Sequence, residues 1–295
     1  LGSGSVIGSL AKRFSRPTSI AEQRKDIARH YDLGNDFYKL WLDKQMVYSC
    51  AYFKTPNDSL NQAQRQKIDH TLAKLRLKKG EHLLDVDSGW GAFIIQAAKK
   101  YGVKATGITL SKEQLKWTNH RIKEENLTRL VNVEYMDYRE IPKSWHGKFD
   151  KWLSVGMYEH VGKVNWPVFM AQIKKVLKPG GVGLVHSIAG QTDLPSDPFL
   201  VKYIFPGGYT PPISQMVVDL QASGFYVLDV ENLWQHYALT LRHWFANFER
   251  ESDKVREMYS EKFMRMWRIF LAGSEQSFVY GHSQIAQILF TNGPN

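Results

Sequence analysis

Short apolar segments alternate with longer amphipathic segments over residues 81–188, and this alternation constrains the fold more than any other feature. The apolar segments are HLLDV, KATGITL, VNVEYM, FDKWLSV and GVGLVHSI, each of which has the length of a strand. Between them lie AFIIQAAKKYG, SKEQLKWTNHRIKEENL and WPVFMAQIKKVLKPGG, which have the pattern of helices. The alternation predicts an α/β fold, with a mostly parallel sheet and helices on both faces.

The flanking regions predict helices and one long loop. Residues 1–80 indicate two helices, SIAEQRKDIARHYD and DSLNQAQRQKIDHTLAKLRLKKG, and no strand. Residues 189–212 carry five prolines and three glycines, which favours a lid or binding loop over a linker. The segment ISQMVVDLQASG and residues 238–278 predict late helices, and IAQILF predicts a last strand.

Composition narrows the class of partner. The formal charge of +10 indicates an anionic partner, which is a nucleic acid, a membrane surface or a phosphorylated substrate. The 9 Trp, 14 Tyr and 15 Phe fit either a large apolar pocket or simply a bulky core. The single cysteine, Cys50, rules out an internal disulfide and fits a reducing compartment. We find no apolar run of about 18 residues, the length that a spanning helix needs, and therefore expect a cytoplasmic protein.

The stretch LLDVDSGWGAF, residues 83–93, has the form of a cofactor loop between a strand and a helix. In an open parallel sheet, such a loop lies at the edge where ligands bind. It lacks the G-x-G-x-x-G of dinucleotide sites, and the chain has no P-loop. An acidic residue followed by a tight glycine turn favours S-adenosylmethionine (SAM). Asp137, after the third strand, is suited to bind the adenine amino group, and Tyr138 could stack on the ring.

Eight blocks in order carry a resemblance to the cyclopropane-fatty-acyl-phospholipid synthase family, which includes the mycolic acid cyclopropane synthases. They are HYDLGNDFYKLWLD, VYSCAYF, LLDVDSGWGAF, GITLSKEQ, SVGMYEHVG, LVHSI, KYIFPGG and QHYALTLRHW. The resemblance implies a Rossmann-like SAM-dependent methyltransferase fold with a seven-stranded sheet and extra helices at the N-terminus and as a lid. It divides the chain into a helical segment, 1–80, that covers the site, and a methyltransferase domain, 81–295. Larger members carry a further N-terminal domain, and we expect this chain to resemble the shorter type.

The resemblance also implies site residues and a reaction, in which the SAM methyl is joined to a cis double bond of an unsaturated phospholipid. A bound bicarbonate then removes a proton from the added methyl so that the ring closes. The residues implied for the bicarbonate site are Glu159, His186 and Tyr237, with backbone groups of Cys50 and Ile188. Those implied for SAM are Tyr48, Ser49, Asp87, Gly89, Gly91, Thr109, Leu110 and Gln114, beside Asp137 and Tyr138. Tyr31 and Phe205 are expected to line the acyl pocket, and no metal is expected.

The cofactor loop departs from the family at Asp87 and Ser88, where relatives usually have Gly-Cys. Ser88 is a small replacement, whereas Asp87 adds a side chain and a charge beside the methionine end of SAM. Our hypothesis is that Asp87 tunes SAM affinity without abolishing binding, because Gly89 and Gly91 preserve the close backbone approach.

Partners follow from the charge and the resemblance. Basic residues on the N-terminal segment are expected to contact anionic lipid on the inner face of the membrane: Lys12, Arg13, Arg16, Arg24, Lys25 and Arg29. A nucleic-acid substrate is disfavoured because no catalytic motif of that class is present. The long late helices are consistent with a homodimer. Two alternatives remain open: a related lipid methyltransferase with a branched methyl or methylene product, and a non-catalytic lipid-binding homologue.

Overall fold

A computed structural model describes residues 19–21 and 33–294 and contains the predicted sheet. Its seven strands have the order β3-β2-β1-β4-β5-β7-β6, and β7 runs in the direction opposite to the other six. The strands are β1 (His82–Val86), β2 (Lys104–Thr109), β3 (Val131–Tyr135), β4 (Phe149–Val155), β5 (Leu177–Gly190), β6 (Tyr226–Asn232) and β7 (Ser283–Thr291). Because β1 lies between β2 and β4, the chain changes direction across the sheet at the end of β1, where ligands bind in such folds.

The helices pack on both faces of the sheet and above its edge. They are α1 (Asn35–Trp41), α2 (Leu60–Lys74), α3 (Ala92–Tyr101), α4 (Lys112–Glu124), α5 (Tyr158–Val161), α6 (Trp166–Val176), α7 (Ile213–Ala222), α8 (Trp234–Arg250), α9 (Ser252–Met258) and α10 (Glu261–Val279). The predicted helix starting at Ser19 falls mostly outside the described residues, as do Tyr31 and the six basic N-terminal residues named above.

Four features of the structure differ from the sequence prediction. The helix DSLNQAQRQKIDHTLAKLRLKKG, expected to run to Gly80, ends at Lys74. The helix expected to run to Gly181 ends at Val176, and β5 begins at once with Leu177. The late helix over 238–278 is three helices, with breaks near Glu251 and Ser260; the Ser260 hydroxyl caps α10 by accepting from Phe263 N at 3.3 Å. The sequence also located no strand at 226–232. This strand lies at the sheet edge and is largely exposed, so it lacks the buried apolar pattern that marks the others.

An aromatic cluster joins the N-terminal segment to the late helices. Phe37 of α1 has its ring centroid 5.1 Å from that of Trp267 and 5.3 Å from that of Tyr259. Trp41 packs edge-on against Trp244 of α8 at 5.6 Å. These rings are almost fully buried apart from Tyr259, so the helices form one apolar unit above the sheet edge. The chain between α1 and α2 is thereby held over the ends of the strands.

Gly107, in the centre of β2, sets the distance between the sheet and the cofactor loop. A Cβ at this position would lie 2.5 Å from Ser88 Oγ and 3.0 Å from Ile94 Cδ1. Any larger residue must therefore displace the loop that follows β1.

We expect Gly107→Ala to lower the free energy of unfolding by about 1–3 kcal/mol, as overpacking does in tight cores. Gly273→Ala is the matched control, because a Cβ there meets nothing within 4 Å and lies within α10. That variant should gain about 0.5–1 kcal/mol from lower chain entropy. Urea unfolding measures both changes, and equal stability of Gly107→Ala and the unaltered protein would contradict this packing argument.

Candidate active site

A cavity of about 520 Å³ opens beside the carboxyl ends of β4 and β5, under α8 and α10. Its walls bring together eight of the residues that the sequence singled out: Tyr48, Ser49, Cys50, Glu159, His186, Ile188, Phe205 and Tyr237. They come from five separate parts of the chain, so the cavity exists only in the folded protein.

Glu159 lies in α5, directly after the turn that ends β4. Its Oε1 accepts a hydrogen bond from the Ile188 backbone N–H at 2.5 Å, while its Oε2 is buried without a hydrogen-bond partner among the described residues. Burial raises the pKa of Glu159 to about 7, against the opposing effect of the Ile188 hydrogen bond. The carboxyl group is therefore poised to hold or release a proton near neutral pH. The Ile188 N–H, predicted to bind an anion, is engaged by Glu159.

His186 lies within β5, in the predicted strand GVGLVHSI, and β5 continues to Gly190. The Gln287 side-chain nitrogen donates to His186 Nδ1 at 3.1 Å and also lies 3.0 Å from Thr71 Oγ1. An accepting Nδ1 leaves the proton on Nε2, which is buried without a partner in the described structure. Burial, with the positive charge of Lys67, lowers the pKa of His186 to about 3, so the ring is neutral.

Tyr237 and Cys50 complete this wall. Tyr237, in the first turn of α8, packs its ring 4.7 Å from that of Phe278, and burial raises the pKa of its hydroxyl. It therefore remains a hydrogen-bond donor at neutral pH. The Cys50 thiol lies 3.2 Å from the Ala51 carbonyl oxygen, and burial raises the pKa of this thiol as well. A protonated buried thiol is a poor nucleophile, in agreement with the interpretation of Cys50 as a backbone contributor.

The loop after β1 forms a tight turn against β2. The backbone N–H groups of Asp87 and Ser88 both donate to the Ile108 carbonyl at 3.0 Å. Asp87 has φ of 69°, in the left-handed region that favours glycine, and burial raises the pKa of its half-buried carboxyl to about 7. Gly91 borders none of the cavities described here, and a Cβ on it would meet Thr118 Cγ2 at 2.4 Å. Gly91 thus permits the close approach of α3 and α4.

Two small cavities flank this loop, and both are bordered by residues that the sequence analysis assigned to SAM. One of about 50 Å³ is bordered by Tyr48, Ser49, Asp87, Gly89 and Gln114, and another of about 20 Å³ by Asp87, Thr109, Leu110, Asp137 and Tyr138. Asp87 is the one residue that borders both cavities among those described. The Thr109 hydroxyl donates to Gln114 Oε1 at 2.7 Å across the second strand's end.

Asp137, the candidate adenine contact, also has structural partners within the protein. Its carboxylate accepts from Arg139 Nε and from Arg139 Nη2, each at 2.8 Å, and caps the helical turn that follows. Tyr138 packs edge-on against Phe169 with ring centroids 5.2 Å apart. Both side chains thus have structural partners while they border the smaller cavity.

Sequence reasoning missed Lys67 and Asp85, two buried ionisable residues behind the loop. The Lys67 ammonium donates to Ser49 Oγ at 2.9 Å and lies 4.5 Å from the centre of the Phe93 ring. Burial lowers the pKa of Lys67 to about 8, while burial and the neighbouring Asp87 raise the pKa of Asp85 to about 8. The signal was available, since a lysine on the buried face of α2 and an aspartate in an apolar strand both break the hydrophobic pattern.

Gln287 is a positioning residue in this arrangement, because its amide determines which nitrogen of His186 faces the cavity. We expect ¹⁵N NMR of the His186 ring, assigned by loss of the signal in His186→Gln, to show the proton on Nε2. Gln287→Glu should move it to Nδ1, since a carboxylate can only accept.

Gln284→Glu is the control, because Gln284 lies on the same strand and accepts from Asn232 through its oxygen, which the substitution keeps. The His186 signal should be unchanged in that variant. A proton on Nδ1 in the unaltered protein would contradict the assignment.

Comparison with known proteins identifies the family of the chain. Residues 18–288 match the family model described as Mycolic acid cyclopropane synthetase. The chain is 43% identical over 269 residues to the "Probable fatty acid methyltransferase" of Pseudomonas putida, covering 89% of this chain and 68% of that protein. It is 37% identical over 265 residues to the cyclopropane-fatty-acyl-phospholipid synthase of Escherichia coli K12, covering 90% and 67%.

A solved structure extends the likeness to the full fold. Mycolic acid cyclopropane synthase CmaA1, complexed with S-adenosylhomocysteine and CTAB, superposes with a TM-score of 0.85 at 32% identity, covering 91% of this chain and 98% of that one. The chain belongs to the mycolic acid cyclopropane synthetase family and is a SAM-dependent methyltransferase.

Proposed function

We propose that the protein is a cyclopropane synthase that adds the methylene carbon of SAM across a cis double bond in an unsaturated phospholipid acyl chain. The observation that carries this proposal is the cavity that unites Glu159, His186 and Tyr237 with apolar and aromatic walls. The cavity adjoins the predicted cofactor cleft through Tyr48 and Ser49, which border both. An acyl chain and a methyl donor could therefore meet at one place.

The walls suit the charge that this reaction develops. An alkene is a weak nucleophile, and its attack on the sulfonium methyl leaves a carbocation on the acyl chain. Aromatic faces attract a cation, and an apolar enclosure keeps out the water that would capture it. Tyr48, Phe205, Tyr237 and Phe278 border the cavity and supply such faces.

The polar groups of the wall fit a small anion. Glu159 Oε2 and His186 Nε2 are buried polar atoms without hydrogen-bond partners among the described residues, and both side chains border the cavity. His186 Nε2–H, the Tyr237 hydroxyl and a protonated Glu159 would donate to a bicarbonate, which when bound supplies the base for ring closure. Holding that base beside the acyl chain is the task of these three side chains.

The cofactor cleft fits a cationic ligand. Asp85 and Asp87 place two carboxyl groups behind and within the loop, and Lys67 lies close enough to Asp85 to offset part of the charge of that carboxylate. The sulfonium and ammonium groups of SAM would favour the ionised form of Asp87. Thr109 and Gln114 offer neutral hydrogen bonds for the ribose, in place of the acidic residue of dinucleotide sites.

A second candidate is a lipid methyltransferase that leaves a branched methyl or methylene product, and the name of the Pseudomonas putida relative favours it. The non-catalytic alternative is disfavoured because the polar cavity groups are all present. We infer an association with the inner face of the membrane from the lipid substrate. None of the helices in the described part of the chain has the length and hydrophobicity needed to span a bilayer.

Incubation with SAM and vesicles of an unsaturated phospholipid, followed by mass measurement of the acyl chains, tests the proposal. We expect each modified chain to gain one CH₂ and to lose its double bond. Gain of CH₂ with the double bond retained would favour the second candidate. No change in mass, together with no SAM binding by calorimetry, would favour the non-catalytic alternative.

Asp87 gives a further prediction for SAM affinity. Because Asp87 borders both cavities, of about 50 and 20 Å³, and one ligand must span them, removal of its side chain in Asp87→Gly should enlarge the cleft and tighten SAM binding about tenfold. Asp87→Asn keeps the bulk without the charge and is the matched control, with affinity at or below that of the unaltered protein. Asp87→Gly binding no tighter would contradict the steric argument.

The same variants test how SAM affinity depends on pH. Since the pKa of Asp87 is raised to about 7, the carboxyl group gains its charge as pH rises from 6 to 7.5. Binding of a cation favours the ionised form, so SAM affinity should rise over this interval, with release of protons measurable by calorimetry in buffers of different ionisation enthalpy. The rise should be smaller in Asp87→Asn; an equal rise would assign it to another group.

A further inference from the structure

The mouth of the main cavity can be located from residues that both border the cavity and are strongly exposed. Leu194 is 66% exposed and Ile269 is 57% exposed, and both border the cavity. Leu194 belongs to the loop after β5, and Ile269 lies on the outer face of α10. The cavity therefore opens to solvent between this loop and α10.

A third apolar side chain extends this exposed rim. Tyr203 is 39% exposed, and its ring centroid is 5.4 Å from that of Phe199, which borders the cavity. The short helical turn Leu200–Ile204 that carries Tyr203 is held against α10 by Phe205, whose ring packs on Phe270 at 5.5 Å. The rim thus presents apolar side chains to solvent on both sides of the opening.

Basic side chains without ion pairs surround the rim. Lys262 and Arg265 precede Ile269 by seven and four residues, so all three lie on one exposed face of α10. Neither Lys262 nor Arg265 has a carboxylate partner among the described residues, and the Lys202 ammonium lies over the Tyr203 ring at 5.1 Å. By contrast, Arg268 on the same helix is paired with Glu249 at 2.6 Å.

The carboxylates near the opening are already engaged. Asp193 pairs with Lys163 at 2.6 Å, and Asp197 accepts from the Phe199 backbone N–H at 2.8 Å. Glu261 pairs with Arg256 at 3.5 Å. Asp197 has no ion pair among the described residues and keeps its negative charge, but Lys202, Lys262 and Arg265 outnumber it, so the rim offers an excess of positive charge beside apolar surface. This combination complements an anionic lipid surface.

We propose that this surface, called the mouth face, docks the protein on an anionic phospholipid bilayer so that an acyl chain can enter the cavity directly. The mouth face consists of exposed apolar and basic side chains around one opening: Leu194, Lys202, Tyr203, Lys262, Arg265 and Ile269. The inference rests on the proposed function for its substrate class, and it assigns the lipid contact to residues outside the N-terminal basic segment.

Another exposed apolar surface does not meet these conditions. Tyr226, Leu228 and Val230 lie on edge strand β6 and are 58%, 48% and 43% exposed. They border none of the cavities described above. The neighbouring Asp229 and Glu231 both pair with Lys74, at 3.3 and 2.6 Å, and β6 itself contains no basic residue that could attract an anionic bilayer.

Charge reversal on α10 tests the electrostatic part of the proposal. Lys262→Glu/Arg265→Glu should weaken binding to mixed phosphatidylglycerol and phosphatidylcholine vesicles by at least about 25-fold, from about fivefold for each of the two basic side chains. Lys116→Glu/Lys123→Glu is the control, because these exposed lysines of α4 also have no ion pair in the described structure and the charge changes equally. Flotation measures binding without any turnover.

The apolar part is tested by Tyr203→Ser against the control Tyr226→Ser. Tyr203→Ser should reduce vesicle binding several-fold while SAM affinity stays unchanged, and Tyr226→Ser should bind as the unaltered protein does. Equal losses in test and control variants, or no loss at all, would overturn the docking surface. Vesicle binding that follows these expectations without any change in acyl mass would uphold the surface and reject the proposed function.

Discussion

The antiparallel pairing of β5 with β7 is the interaction on which the site depends. Its register sets His186 opposite Gln287, 101 residues later in the chain, and the Gln287 amide reaches both the imidazole and Thr71 on α2. One buried amide on β7 thereby connects the sheet, helix α2 and the cavity wall. Because a strand slip of one residue would turn each side chain to the other face, the hydrogen bonds that define this register also define the chemistry available in the cavity.

Burial shifts the pKa values of the ionisable side chains near the site. Burial raises the pKa values of three carboxyl groups, those of Asp85, Asp87 and Glu159. It lowers the pKa values of Lys67 and His186, because burial disfavours the charged form in each case. The site therefore holds several groups near their neutral forms at ordinary pH. Such groups cost stability when isolated, and perturbed pKa values are typical of functional sites. Glu159 and His186 border the main cavity, and Asp85 and Asp87 border the small cavity of about 50 Å³.

The sequence predicted the alternating core well, because buried parallel strands and amphipathic helices leave clear patterns. It predicted poorly where burial does not follow the pattern. The edge strand Tyr226–Asn232 is exposed on most of its length, and β5 begins directly at the end of α6 without a loop to separate them. Lys67 and Gln287 were missed because a single polar residue within an apolar segment acquires meaning only from its partner in space.

The sequence by itself determined the class of fold, the position of the cofactor loop and the residue types at the site, since these follow from periodicity and from local motifs. Only the tertiary structure decided which groups meet. Local sequence does not encode that Glu159 accepts from Ile188, that Asp87 borders two cavities, or that the cavity opens between Leu194 and Ile269. Each of these contacts joins parts of the chain that are distant in sequence, and packing of the sheet and late helices brings them together.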